Sequence, residues 1–346
     1  MSLDDHRGFA AIDPADALGD VESTPAQWAH SRRLAHQRLD LHDVDAIVVT
    51  GMGGSGISGD VVATLAADRL PVPVLVHKGY GLPAFVGPRT LVVACSYSGD
   101  TEETLSAVAA AESARARLFA VTSGGRLAAR CRSLSAPMVV VPPGRQPRHS
   151  LWYLALPVLV ALGLDDGADE AAGVLDDVVI AAGRQVPAAD NPAKQLALRL
   201  ASGSVAMVWG ARGLGSLAAY RLKCQLNENA EMLAFASELP ELDHNEVVGF
   251  AGQVMPAGHI GLVILRDPEG ELPRMGARFK VSEELVRDGC AWLAEVSARG
   301  HSPLARLASL VLLADLTSVY VALELGRDPT PVAAIDRLKR ELAQTG

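Results

Sequence analysis

The chain has 346 residues, 49% of them hydrophobic and 21% charged, which is enough for well-filled globular cores and favours two domains over one. A formal net charge of −9 argues against the broad basic surface that nucleic acid or an anionic membrane requires, but it allows a local site for a small anion. The first residues lack the pattern of a signal peptide, so we expect a soluble, cytoplasmic protein without nucleic-acid or membrane partners.

The first half of the chain alternates short apolar runs with helical segments rich in alanine and leucine. The runs are apolar at successive residues, as is typical of parallel strands buried on both faces. We expect helices at 58–69 and 101–116, a doubly wound α/β domain over 45–163, and an N-terminal helical extension over 1–44. The runs that we interpret as strands are 45–51, 72–78, 90–96, 117–123 and 136–144.

A second α/β domain is predicted over 164–346. Residues 204–223 repeat the order of strand, glycine loop and helix seen at 45–65, and another apolar run follows at 259–267. The sequence therefore predicts two tandem, doubly wound parallel-sheet domains with a C-terminal helical segment. The remaining predicted elements are a helix over about 280–297, a helical region over 303–342, a turn at 326–331, and Pro331 at the first position of the last helix.

Two polar loops, "GMGGSGISGD" at 51–60 and "SYSGDTEET" at 96–104, each follow a predicted strand and precede a helix. Open parallel sheets bind ligands at this carboxyl edge. The glycines allow close approach of a ligand, and the first-turn N–H groups of the helices attract an anion. We therefore predict a phosphate site. Its proposed ligands are Gly54, Ser55, Ser96, Ser98 and Thr101.

Other interpretations of the two loops are weaker. The G-x-G-x-x-G match at 51–56 is a poor indication of a dinucleotide site, because the next strand ends in His77 and Lys78 instead of an acidic residue. No G-x-x-x-x-G-K-[ST] motif supports a nucleoside triphosphate. Ser98 could also serve as a helix N-cap, but capping does not explain a second glycine loop at the same edge.

Acid and base groups interrupt apolar faces in the second half. Glu228 extends a stripe of Leu217, Tyr220 and Cys224 on a helix predicted over 216–231, where it is either a catalytic carboxylate or half of an ion pair. The alternative partner for that pair is Arg221. A carboxylate that points into the protein is costly unless ionic or hydrogen-bond partners surround it.

The last helix, predicted over 331–342, places Lys339 within an apolar stripe. We interpret its ammonium group as directed into a polar site; the alternative is a side chain whose stem packs while its charged end reaches solvent. His244 lies in the loop 238–250, where a histidine is ordinarily a surface residue. Arg145 or Arg148 could face the crevice, where a guanidinium suits a phosphate or a developing oxyanion. The stripe consists of Val332, Ile335, Leu338 and Leu342.

The cysteine and histidine patterns indicate no metal site. The four cysteines are widely spaced and form no C-x-x-C pair, so we interpret them as reduced structural thiols. The chain contains no H-x-H or H-E-x-x-H cluster. We expect neither a metal nor another cofactor. The cysteines are Cys95, Cys131, Cys224 and Cys290.

"GMGGSG" followed by "SYSGDTEET" resembles the sugar isomerase (SIS) domain, a flavodoxin-like fold that binds the phosphate of phosphosugars with these serines and this threonine. With "PRHSL", "NENAE", "LPELDHNEVVG" and the closing segment 302–342, the chain resembles the SIS-type bifunctional phosphoglucose/phosphomannose isomerases from about 45 to 342. The region before 45 is not covered. A sugar-phosphate-binding SIS protein without catalysis, or an SIS isomerase for a different phosphosugar, is the alternative.

The resemblance implies a metal-independent aldose–ketose isomerase that interconverts glucose 6-phosphate and/or mannose 6-phosphate with fructose 6-phosphate through a cis-enediolate. It assigns the base to Glu228, ring opening to His244 and Lys339, and enediolate stabilisation to Arg148. In the family the histidine comes from the other subunit, which implies a homodimer. Val332 departs from the family pattern, because some bifunctional members have a threonine there that helps to hold a water. The preference between the two epimers is therefore open.

Overall fold

A computed structural model describes residues 2–252, 258–342 and 344. The chain forms two compact units. The first unit comprises Ser23–Asp176 and Arg299–Ser309, and the second comprises Met1–Glu22, Asp177–Ala298 and Leu310–Gly346. The domain boundaries after 44 and 163 stay a prediction of the sequence.

Helices connect most of the consecutive strands within each sheet. The strands are β1 Ala46–Thr50, β2 Val74–His77, β3 Thr90–Ser96, β4 Arg117–Thr122, β5 Met138–Val140, β6 Val205–Ala211, β7 Ala234–Leu239, β8 Ile260–Arg266 and β9 Cys290–Ser297. Strands β1–β5, β6 and β8 lie at the predicted apolar runs. The helices are α1 Ala17–Glu22, α2 Thr24–Leu34, α3 Gly53–Ala66, α4 Glu102–Ser113, α5 Gly125–Leu134, α6 Leu151–Leu162, α7 Ala168–Ala182, α8 Pro192–Leu200, α9 Leu214–Asn229, α10 Glu246–Ala251, α11 Pro273–Val286, α12 Pro303–Glu324 and α13 Ala333–Leu342.

The sheet of the first unit is parallel, with strand order β2-β1-β3-β4-β5. Its central strand β3 is buried along its whole length, as the continuous apolar run predicts. After β1 the chain adds β2 on one side and then crosses to β3 on the other, so the strand order reverses between β1 and β3. This is the flavodoxin-like order, whose ligands bind at that reversal. The predicted fold class is confirmed for this unit.

The second sheet is also parallel, with order β7-β6-β8-β9. Its first strand in the chain again lies between the second and third, as in the first sheet. The predicted helix over 280–297 is wrong at its C-terminal half: α11 ends at Val286, and β9 follows. The ring of Trp292 in β9 occupies the space that a side chain at Gly261 in β8 would need. This cross-strand contact favours a strand over a helix.

Helix α12 carries a buried polar network that joins it to α9. The Arg221 Nε and Nη2 atoms donate to the two carboxylate oxygens of Asp315 at 2.8 and 2.6 Å, and Gln225 Nε2 donates to Asp315 Oδ1 at 3.0 Å. Arg221 and Gln225 are both almost fully buried. A buried charge requires such partners, so this network sets the register of α9 against α12. The sequence allowed a buried ion pair between Arg221 and Glu228; in the structure Arg221 is paired with Asp315.

Among the described residues, α12 is the one helix long and apolar enough to cross a membrane. Its most apolar stretch is 89% buried inside the protein, as expected for a core helix.

The N-terminus of α12 is bound by a carboxylate from α7. Glu170 accepts hydrogen bonds from the backbone N–H groups of His301 and Ser302, at 2.5 and 2.9 Å. Hydrogen bonds from the Ser302 side chain and from these two N–H groups lower the pKa of Glu170 to about 2. The ionised Glu170 therefore stabilises the folded protein fully above the ordinary pKa of a carboxyl group, and this stabilisation is lost as the pH falls towards 2.

We expect the thermal stability of the protein to decrease between about pH 4.5 and pH 2 partly through Glu170. The difference in melting temperature between the wild type and Glu170→Gln should be largest near neutral pH and should shrink over that range. Asp169→Asn, which removes an exposed carboxylate paired with Arg32, is the control and should show little difference at any pH. A difference for Glu170→Gln that does not depend on pH would contradict this assignment.

Candidate functional site

The candidate site lies at the carboxyl edge of the first sheet, where β1 and β3 end side by side. Thr50 closes β1 and pairs with Ala94 of the parallel strand β3, and β3 ends two residues later at Ser96. Helix α3 begins at Gly53, shortly after β1, and α4 begins at Glu102, after the serine loop that follows β3. The glycine loop after β1 and the serine loop after β3 therefore meet at the reversal of strand order, as predicted.

Hydroxyl groups connect and shape the two loops. Ser55 Oγ accepts a hydrogen bond from the Tyr97 N–H at 3.1 Å, which joins the glycine loop to the serine loop. Ser96 Oγ accepts from the Gly99 N–H at 3.1 Å and lies 2.9 Å from Thr101 Oγ1. A hydroxyl that only accepts a hydrogen bond retains its own proton for a ligand, whereas one proton of the Ser96–Thr101 pair is used between these two hydroxyls. We call the set of Gly54, Ser55, Ser96, Ser98 and Thr101 the hydroxyl cradle.

The two helices that begin at the cradle are not capped by their own N-cap side chains. The N-cap residues are Met52 for α3 and Thr101 for α4, and neither makes a side-chain capping hydrogen bond. Ser98 is exposed and accepts from the Asp100 N–H at 3.2 Å. The interpretation of Ser98 as the N-cap of α4 is therefore wrong. Helix N-termini without such caps are suited to binding an anion.

Arg148 lies directly against the glycine loop. It belongs to the 3₁₀ turn Pro147–His149 and is only 3% exposed. A Cβ atom added at Gly54 would lie 2.7 Å from the Arg148 nitrogen, so the two backbones touch and only glycine fits. The other candidate, Arg145, donates from Nη2 to Ser23 Oγ at 2.9 Å. The structure thus brings Arg148 together with the cradle.

Lys78 adds a positive charge that sequence reasoning did not assign to the site. Its side chain follows β2 and pairs with Asp60 of α3, while its Cε atom lies 3.2 Å from the position of a Cβ on Gly56. Burial raises the pKa of Asp60, and the hydrogen bond and charge of Lys78 oppose this. The position of Lys78 at a strand end was the available signal.

Glu228 lies near the C-terminal end of α9 in the second unit and is half-buried. The stripe on which it was predicted is buried at Leu217, but Tyr220 is 39% exposed. This face of α9 is therefore only partly buried in the core. Glu228 follows the buried network of Arg221 and Gln225 by one turn of the same helix, so that network orients its backbone.

His244 is exposed at the end of a firmly held 3₁₀ turn, Glu241–His244. Its neighbour Asp243 binds α11 through Arg278 Nη1 at 2.7 Å and Ser282 Oγ at 2.6 Å. On the other side, the Asn245 side chain accepts from the Glu246 N–H at the start of α10. The turn is anchored while the imidazole itself faces solvent.

Lys339 is exposed on α13, as are most of the apolar residues around it. Helix α13 begins at Ala333 and not at Pro331. Ile335, Leu338 and Leu342 are 38%, 57% and 58% exposed. The expectation that Lys339 points into a polar site is therefore not met within the single chain, whose C-terminal helix presents its apolar stripe to solvent.

The candidate residues belong to both units of the chain. The hydroxyl cradle and Arg148 lie in the first unit, whereas Glu228, His244 and Lys339 lie in the second. In the part of the chain that the structure describes, no group of three or more His, Cys, Asp or Glu side chains could hold a metal ion. All four cysteines are free thiols, and burial raises the pKa of Cys95 to about 11.

Comparisons with known proteins show which proteins this chain is similar to. Residues 189–342 match the family described as bacterial phospho-glucose isomerase C-terminal SIS domain. The bifunctional phosphoglucose/phosphomannose isomerase of Caldicellulosiruptor bescii is 37% identical over 87% of this chain and 91% of its own length. That of Aquifex aeolicus is 34% identical over 88% and 92%.

The fold is also similar to those of solved structures. A glucose-6-phosphate isomerase-like protein from Thermus thermophilus superposes with a TM-score of 0.66 at 19% identity, over 97% of this chain and 99% of that one. Together with the cradle at the strand reversal, the two curated relatives confirm the resemblance seen in the loops. The chain belongs to the family of bifunctional phosphoglucose/phosphomannose isomerases.

Proposed function

We propose that this protein is a metal-independent aldose–ketose isomerase that interconverts glucose 6-phosphate and mannose 6-phosphate with fructose 6-phosphate. The observation that carries the proposal is the hydroxyl cradle, where hydroxyl groups and two helix N-termini converge beside a buried arginine. Neutral donors suit the phosphate dianion, since they orient it and the helix N-termini supply the favourable field. The relatives act on the two sugar phosphates named in their descriptions.

The family resemblance assigns the roles, and the residue types suit them. Opening of the sugar ring needs proton transfer at the ring oxygen and O1, which we assign to His244 and Lys339. Glu228 then removes the proton from C2 and returns it to C1 through a cis-enediolate. Negative charge develops on O1 and O2 in that intermediate, so the guanidinium of Arg148 stabilises the transition state more than the ground state.

We further propose that the active form is a cytoplasmic homodimer in which His244 acts in the site of the partner subunit. Two features support this. The histidine is exposed although the preceding Asp243 binds Arg278 and Ser282 of α11. The apolar stripe of α13, which carries Lys339, is also exposed. Exposed apolar stripes of this kind are typical of surfaces that are covered in an assembly.

A coupled assay tests the reaction itself. Fructose 6-phosphate formation should be measured from glucose 6-phosphate and from mannose 6-phosphate, each with and without a chelator. We expect turnover of both aldoses that the chelator does not reduce. Binding of both phosphosugars without turnover would support a non-catalytic sugar-phosphate-binding protein, and neither binding nor turnover of these sugars would indicate a different phosphosugar. The ratio of the two rates would also report the consequence of Val332, which cannot hold a water as threonine does.

Mixing two inactive variants tests the shared site. Dimers that combine one Glu228→Gln subunit with one His244→Ala subunit contain one site with both changes and one site with neither. After denaturation and refolding of an equimolar mixture, random pairing should restore about a quarter of the wild-type activity. Each variant refolded alone is the control. If the mixture stays as inactive as its components, the histidine is not supplied by a partner.

A further inference from the structure

Helix α2, which precedes the part of the chain covered by the family resemblance, carries a polar stripe on one face. Ser23, Gln27 and Ser31 follow one another at intervals of four residues and therefore project from the same side of the helix. Gln27 is 2% exposed and Ser31 is fully buried. Polar groups buried to this extent are tolerated only where they find partners.

Each of the three side chains has a hydrogen-bond partner in one short segment, residues 145–152. Gln27 Nε2 donates to the His149 carbonyl at 2.8 Å, and Gln27 Oε1 accepts from the Trp152 N–H at 3.0 Å. Its single carboxamide thus joins the end of the 3₁₀ turn to the first turn of α6. Ser31 Oγ adds a hydrogen bond to the Trp152 carbonyl at 2.9 Å. Ser23 Oγ accepts from Arg145 on the other side of the turn, as described above.

Aromatic contacts hold α2 in place behind this stripe. The Trp28 and Trp152 rings meet edge to face with centroids 4.8 Å apart, and Trp28 Nε1 donates to the Ala168 carbonyl at 3.2 Å. Both rings are almost fully buried. The helix therefore provides a rigid support, and the stripe transmits its position to residues 145–152.

The segment that the stripe holds is the one that carries Arg148. Gln27 binds the residue directly after Arg148, and the Arg148 backbone nitrogen touches the glycine loop at Gly54. We propose that Gln27 is a positioning residue of the isomerase, which with Ser23 and Ser31 holds the Arg148 guanidinium at the correct distance from the phosphosugar. The inference rests on the role proposed for Arg148. A displacement of about 1 Å in such a group can cost on the order of 100-fold in rate.

Gln27→Met tests this, because methionine fills a similar volume but makes neither hydrogen bond. We expect kcat with glucose 6-phosphate to fall about 10- to 100-fold. KM should change much less, since the cradle still binds the phosphate. The loss should also be non-additive. If Gln27 acts through Arg148, the double variant with Arg148→Ala should match Arg148→Ala alone within about twofold.

Asn191→Leu is the matched control. Asn191 is a buried carboxamide in the second unit that also donates one hydrogen bond, to the Gly183 carbonyl, and accepts one, from the Lys194 N–H. Its loss should lower the melting temperature without the selective loss of kcat. Ser23→Ala, at a half-buried position, is a milder variant that should also lower kcat. It replaces Gln27→Met in the test if that variant fails to fold.

The outcomes separate the two proposals. If Arg148→Ala itself retains full turnover, the role of Arg148 in the proposed function is wrong. If Arg148→Ala is impaired but the effects of Gln27→Met and Arg148→Ala multiply, the positioning role alone is overturned. Equal losses of kcat in Gln27→Met and Asn191→Leu would likewise show that Gln27 contributes only to stability.

Discussion

Glu228→Gln should lower kcat for both aldose phosphates by about 10²- to 10⁴-fold, the usual contribution of a general base. The amide retains the size and hydrogen-bonding reach of the side chain but cannot remove the proton from C2. KM should change far less than kcat, because the hydroxyl cradle, and not Glu228, is proposed to bind the phosphate. Steady-state kinetics in the direction of fructose 6-phosphate, together with exchange of the C2 proton for solvent deuterium, would measure both effects.

Glu231→Gln is the matched control for this prediction. Glu231 follows the end of α9 by two residues and forms an exposed ion pair with Arg327. Removal of an exposed pair has a small effect on stability, and turnover should be near that of the wild type. Near-native turnover of Glu228→Gln with both sugars would remove Glu228 from the mechanism. Equal losses in the two variants would indicate a general effect on α9.

Gly54→Ala should be the most damaging single change in the hydroxyl cradle. The added methyl group would lie 2.7 Å from the Arg148 nitrogen and 2.8 Å from its Cα atom, closer than a Cβ approaches other atoms in proteins. Both contacts are with backbone, which cannot rotate away. Either the start of α3 or the turn carrying Arg148 must move, and we expect kcat/KM to fall on the order of 100-fold.

Gly173→Ala is the appropriate control for Gly54→Ala. Gly173 lies within α7, and a Cβ there would meet no atom within 4 Å. Alanine should therefore leave turnover unchanged and stabilise the protein by about 0.5–1 kcal/mol, as expected for a helix interior. The comparison should include kinetics and melting temperatures with and without glucose 6-phosphate. Wild-type kinetics of Gly54→Ala would mean that the contact between Gly54 and Arg148 is not needed.

Sequence reasoning predicted the position of the two loops, whose signal is local. The glycine loop at 51–60 and the serine loop at 96–104 each combine a preceding apolar run with residues that suit a helix N-terminus. Because adjacent parallel strands end at one edge, these two loops could be placed together without knowledge of the rest. The roles of Glu228, His244, Lys339 and Arg148 stay predictions that the variants above can test.

The elements that were missed depend on pairing with distant residues. Strand β7 was not predicted, and its last two residues were included in the loop predicted over 238–250; it has only a short apolar segment and borders the sheet, where it pairs with β6. Strand β9 was predicted as helix because its neighbours in sequence suit a helix. In both cases the decisive hydrogen bonds come from another strand, and local propensity carries little information about them.

The sequence by itself determined the alternating α/β organisation and the position of the two polar loops, because hydrophobic periodicity and glycine requirements are properties of short segments. Only the tertiary structure decided that α2 binds the turn of Arg148 through Gln27, and that Lys78 approaches Gly56. It also decided that the apolar stripe around Lys339 is exposed in the single chain. These features depend on which surfaces meet after folding, and residues more than 100 positions apart, such as Gln27 and His149, share no local pattern that would predict their contact.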